Sequence, residues 1–128
     1  MSDRKIRITA GAVEAEAVLN DSETADSIWK ALPISARANV WGDEIYFSIP
    51  VSCAPSADAR EVVDPGELGY WPPGNAFCVF FGPTPASQGG EIRAASPVNP
   101  IGRVSGDAKA FKKTRAGDAV KIEPAFVD

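Results

Sequence analysis

The stretch "GELGYWPPGNAFCVFFGPTP", Gly66 to Pro85, decides the fold of this chain. From Ala76 to Phe81 every residue is apolar, so a strand built from it has no face suited to water. It must sit at the centre of a covered sheet or in the wall of a closed barrel. Pro72-Pro73-Gly74-Asn75 before it and Gly82-Pro83-Thr84-Pro85 after it read as turns, combining fixed φ with residues tolerant of positive φ. Tyr70 and Trp71 stand at the corner between turn and strand, where they form either a stiff bend or the rim of a binding site.

Working outward, Ile6 and Ile8 alternate with Lys5, Arg7 and Thr9, and beyond Gly11 Val13, Ala15 and Ala17 alternate with Glu14 and Glu16. That period of two predicts a hairpin. The period then changes: Ala25, Ile28, Trp29 and Leu32 lie at helical spacing, after the capping candidates Asn20, Asp21, Ser22 and Thr24 and before Pro33. "NVWGDEIYFSIPV", Asn39 to Val51, predicts a second hairpin turning at Gly42-Asp43. Ile45, Phe47 and Ile49 form its core face; Glu44, Tyr46 and Ser48 form the other, exposed or functional.

Cys53 to Arg60 reads as a polar loop, Glu61 to Val63 as a short strand, and Asp64-Pro65-Gly66 as a turn. Ala86 to Ala95, with adjacent glycines, reads as a surface loop, and "PVNPIGRVS", Pro97 to Ser105, as extended chain, because a residue before proline is pushed out of the helical region. A short helix around Ala108 to Lys113 and a last strand through Val120 and Ile122 complete the pattern, with no internal repeat.

A length of 128 residues with 45% apolar content suits one domain, residues 1–128, able to bury about two-thirds of its unfolded surface. The net charge of -4 opposes binding to a phosphate backbone. The one dense basic stretch, "KAFKKTR" from Lys109 to Arg115, reads as the solvated side of the short helix, and no nucleic-acid partner is expected. Neither a membrane span nor a secretory signal is recognisable, so a cytoplasmic protein without a membrane partner is expected. Cys53 and Cys78 have neither metal-ligand spacing nor the density of a disulfide scaffold and are expected to be reduced, Cys78 in the core. The chain contains no histidine, which removes the usual general base, the usual partner of a serine or cysteine nucleophile and the commonest zinc ligand. No metal or cofactor is expected.

Trp41, Tyr46, Tyr70 and Trp71 are the aromatics with a polar handle and with Gly, Pro, Asp or Glu as neighbours, the setting in which loop-borne aromatics line a cleft. Phe77, Phe80 and Phe81 read instead as core. Glu44, Glu61, Asp64 and Glu67 are the acids near these aromatics; a facing pair could do acid–base work, and otherwise they are strand-end and turn residues in water. Arg60 could orient an anionic or amide group, or pair with Glu61 or Glu44. Asn99, between two prolines, could present its amide to a ligand or tie down a loop.

"VWGDEIYFSIPV", "DPGELGYWPPGNAFCVFFGPTP", "SPVNPIGRV" and "AFKKTRAGDAVKIEP" together resemble the bacterial and archaeal cyclophilin-like domain family, small proteins without a settled activity. The resemblance covers nearly the whole chain. It implies a mainly β fold, a closed barrel of about eight strands capped by two short helices, as in peptidyl-prolyl isomerases. "NAFCVFFG" is similar to the cyclophilin strand ending in Gln-Phe-Phe, and "IGRVSGDAKAFKKTRAG" to the segment leading into its last helix. Cyclophilins hold the prolyl group with an arginine and a glutamine over an aromatic pocket. This chain carries Arg37 before Trp41, and its Gln88-Gly89-Gly90 follows Pro85, displaced from the cyclophilin position. The favoured reading is therefore a non-catalytic module binding a small molecule or a proline-containing, extended peptide through Trp41, Glu44, Tyr46, Arg60, Tyr70, Trp71 and Asn99. The alternatives are a weak prolyl isomerase using Arg37, Arg60 or Arg103, and a homodimer face formed by exposed aromatics.

Overall fold

In the computed structural model, which describes residues 4–125, the chain is mainly β. Strands β1 (Arg4–Ala10) and β2 (Val13–Leu19) form the first hairpin, followed by helix α1 (Glu23–Ala31). Then come β3 (Ile34–Arg37), β4 (Asn39–Val40), β5 (Glu44–Ser48), β6 (Arg60–Val63), β7 (Glu67–Trp71), β8 (Ala76–Phe80), the long β9 (Ile92–Val104) and β10 (Ala119–Pro124). Short 3₁₀ turns occupy Pro72–Gly74 and Ala108–Lys113. Among the described residues no helix is long and apolar enough to cross a membrane.

Helix α1 forms where the capping signals stand. The Ser22 hydroxyl accepts the Ala25 N–H at 3.2 Å, and the helix buries Thr24, Ala25 and Ile28 before Leu32 turns to extended geometry. The basic stretch 109–113 lies on the second 3₁₀ turn, which buries Ala108 and Phe111 and leaves its lysines in solvent.

The sheet runs β3-β10-β1-β2-β9-β7-β8-β5-β4, with β6 paired to β9 off that path. The expected mainly β fold with two short helical segments forms; among the described residues there are ten strands where about eight were expected, and no ladder joins the end strands β3 and β4, so the sheet is not closed by hydrogen bonds. The cause is local. β3 and β4 follow one another through Ala38, whose N–H bonds Asp118 O at 2.9 Å and whose carbonyl accepts the Gly117 N–H at 2.8 Å. Two stretches one residue apart cannot turn back on each other as an antiparallel pair.

β8 is buried at all five positions, as its sequence predicts, and its two faces pack against different clusters. Phe77 and Val79 join the main core with Ile6, Ile8, Leu68, Tyr70 and Phe111. Phe47 and Phe77, directly paired across β5 and β8, stack there with ring centroids 5.3 Å apart. Ala76, Cys78 and Phe80 face a second cluster with Val63, Ile92, Ala94 and Val98.

That second cluster exists because β9 pairs on two sides. Its C-terminal half pairs with β7 and β2, while its first half pairs with β6 and packs as an arm over the other face of β7 and β8. The expected loop 86–95 is thus corrected from Ile92 onward, where Ile92 and Ala94 are buried and Arg93 points between Glu61 and Glu91. At Gly69 the arm lies close against the sheet: a Cβ there would stand 2.8 Å from Val98 Cγ2.

Candidate functional site

Between the arm and the sheet lies a pocket of about 240 Å³ lined by Trp41, Glu44, Tyr46, Trp71, Ala94, Ala95 and Val98. Strand alternation builds it. On β5, Ile45 and Phe47 turn to the main core, which sends Glu44 and Tyr46 to the opposite face; on β7, Leu68 and Tyr70 turn inward and Trp71 outward. The small side chains of Ala94 and Ala95 on β9 leave the space that larger residues would fill.

Trp71 is fixed from two sides. Its indole Nε1 donates to Ser96 Oγ at 2.6 Å, and the ring lies so close to Gly74 that a Cβ there would approach it to 2.9 Å. The Pro-Pro-Gly corner therefore backs one wall of the pocket while its 3₁₀ turn feeds β8.

Glu44 is the single ionisable acid in this lining, and it is only 5% exposed. Burial pushes its carboxyl up from 4.5 to about 7, a rise only partly offset by the neighbouring Cys78 thiol. Burial likewise raises the Cys78 thiol well above its ordinary value, and the nearby Glu44 adds to the effect. Among the described residues no cation lies within ion-pair distance of Glu44. A buried acid without a cationic partner is uncommon, because desolvating a carboxylate is costly unless something compensates.

Four of the seven expected site residues, Trp41, Glu44, Tyr46 and Trp71, thus meet in one pocket. The other three lie elsewhere. Tyr70 is fully buried in the main core, where its hydroxyl donates to Val51 O at 2.7 Å and accepts the Cys53 N–H at 3.1 Å. Its place is an interior tie for the 51–53 segment, which corrects the expected rim position. Asn99 is also buried: it donates to Thr24 Oγ1 and to Ala54 O, each at 3.0 Å, and accepts the Ser56 N–H at 2.8 Å, so its amide ties loop to helix.

Arg60 pairs with Glu67, replacing the expected Glu61 or Glu44, and borders a different groove with Asn20 and Arg103. Glu67 is 3% exposed, so it is not an acid in water; it also accepts the Asp64 N–H at 3.0 Å. Arg37 donates to Gly117 O, and Arg103 faces Asp64; neither lines the aromatic pocket. Ala94, Ala95 and Val98 were not expected in the site: the two alanines fall in the stretch read as a surface loop and Val98 in the one read as extended chain, and the alternation of β9 is the signal that joins them. Among the described residues no cluster of three or more His, Cys, Asp or Glu could hold a metal ion.

A family model described as cyclophilin-like matches residues 4–123. The solution structure of the hypothetical protein AF2241 from Archaeoglobus fulgidus is 40% identical, with a TM-score of 0.83 over 96% of this chain and 95% of that one. The structure of McbB in complex with tryptophan shares the fold at 16% identity and a TM-score of 0.63, covering 96% of this chain and 46% of McbB. A comparison with curated proteins finds no match.

Proposed function

The chain belongs to the cyclophilin-like family, and from that premise we propose that it is a binding module taking a small molecule at the Trp41–Glu44–Tyr46–Trp71 pocket. One observation carries this reading: a carboxyl 5% exposed and without a cationic partner lines a pocket otherwise made of two indoles, a phenol and small aliphatic groups. Apolar walls with one placed polar group are the usual make-up of a small-ligand site. The volume of about 240 Å³ falls below the roughly 300–1,000 Å³ of drug-sized sites, which favours a fragment-sized molecule over a length of extended peptide. McbB, of the same fold, is found in complex with tryptophan, which carries an aromatic ring; a ring-bearing ligand would suit the walls here.

A thermal-shift screen of ring-bearing fragments on the native protein and on Trp71→Ala tests the reading. A fragment at about 100 times its Kd should add about 2.7 kcal/mol of stability to the native protein and clearly less to the variant. Equal stabilisation of both proteins, or of neither across the screen, contradicts it.

A further inference from the structure

Resting on that reading of the pocket, we infer that its ligand carries a tertiary or quaternary ammonium, seated among Trp41, Tyr46 and Trp71 with Glu44 as its counter-ion. Four features point there. The π faces of two indoles and a phenol attract a cation placed over them, Trp most strongly. Among the described residues no Lys or Arg lines the pocket, so the place beside Glu44 where a positive charge belongs is left for a ligand. Above about pH 7, where Glu44 is ionised, a neutral apolar ligand would shut the carboxylate away from water with nothing to balance it, and an anion would be repelled.

The fourth feature sets the degree of alkylation. A primary ammonium brings three N–H donors, and the only lining side chains that can accept them are Glu44 and the Tyr46 hydroxyl. Alkyl groups in place of hydrogens turn that deficit into contact with Ala94, Ala95, Val98 and the rings.

The titratable groups facing Glu44 are the Cys78 thiol across the β5–β8 ladder and Tyr46 on its own strand. The covering parts of β7 and β9 contribute only Trp71, Ala94, Ala95 and Val98, and Asp43, next in the chain, faces Lys112. Glu44 is therefore the group whose ionisation governs binding near neutrality, and a cation should bind its charged form.

The experiment titrates the full chain, by tryptophan fluorescence, with choline, with ethanolamine and with dimethylbutanol, the uncharged carbon isostere of choline. Choline should bind roughly tenfold or more tightly than either of the others. Its affinity should rise about tenfold from pH 6 to pH 8 as Glu44 ionises around 7, while that of dimethylbutanol falls, because it shuts the ionised carboxylate away from water. Glu44→Gln should reduce the preference for choline over dimethylbutanol, abolish the rise of choline affinity with pH and keep the weak apolar binding. Dimethylbutanol binding as tightly as choline, or a choline affinity indifferent both to pH and to Glu44→Gln, overturns the inference. So does the absence of choline binding; the fragment screen on Trp71→Ala then decides separately whether the pocket binds anything.

Discussion

Replacing Glu44 by glutamine should make the protein more stable, and only above a definite pH. In the folded chain the carboxyl holds its proton up to about 7, against 4.5 when free. The folded state therefore binds a proton more tightly than the unfolded state, so the stability this proton contributes is fully present below pH 4.5 and is lost as pH rises through about 7. At about 1.4 kcal/mol per pH unit, the interval from 4.5 to about 7 amounts to about 3 kcal/mol. Glutamine keeps the shape of the side chain and cannot ionise, so it avoids that loss. For a domain of this size the difference should raise Tm by about 10 °C at pH 8 and by almost nothing at pH 4.5. Urea denaturation of both proteins from pH 4.5 to 8.5 measures it, and subtracting one curve from the other cancels the remaining carboxylates. Asp26, held low by Lys30, and Glu91, held low by Arg93, act in the opposite sense and weaken the fold as pH falls through their lowered values. Parallel curves for the native protein and the Glu44→Gln variant across the whole range would refute the reasoning, because a carboxyl with ordinary solvation contributes no such difference.

Three further outcomes follow from the packing. Tyr70→Phe strips Val51 O and Cys53 N–H of their partner inside the core, so it should cost about 1–3 kcal/mol in urea denaturation and leave fragment binding at the pocket unchanged. Asn99→Ala removes bonds to Thr24, Ala54 and Ser56 together; about 3 kcal/mol of lost stability and faster proteolysis within residues 53–60 are expected. Gly102→Ala would set a Cβ 2.1 Å from Val18 O in the β2–β9 ladder, a backbone clash expected to cost about 3 kcal/mol or more, read as a lowered Tm.

The parts of the fold written in local pattern were legible from the residues. The all-apolar run of β8 announced a strand covered on both faces, and Ile45 and Phe47 alternating with Glu44 and Tyr46 announced which side of β5 faces the core. What stayed hidden depends on partners distant in the chain. The start of β9 looks like part of a loop because the adjacent Gly89 and Gly90 lie just before it, and its alternation becomes meaningful only when β6 pairs with it. Tyr70 reads as a rim residue because it carries a polar handle beside a Gly- and Pro-rich turn; only the pairing of β7 with both β8 and β9 shows the phenol turned inward. Arg60 finds Glu67 rather than its sequence neighbour in a fold where β6 and β7 both pair with β9, a placement that adjacency in the chain does not reveal. Within the pocket, the aromatic walls were visible as residue types, whereas the burial of Glu44 comes from the arm laid across it.

The most direct test uses the three tryptophans as reporters of place. Trp29, on α1, packs against the main core, while Trp41 and Trp71 line the pocket. In a titration with a fragment that raises Tm, followed by the three indole N–H resonances, those of Trp41 and Trp71 should move together while that of Trp29 stays in place. Movement of Trp29 alone, or no movement at Trp41 and Trp71 while the fragment binds, would contradict a ligand site between the arm and the sheet.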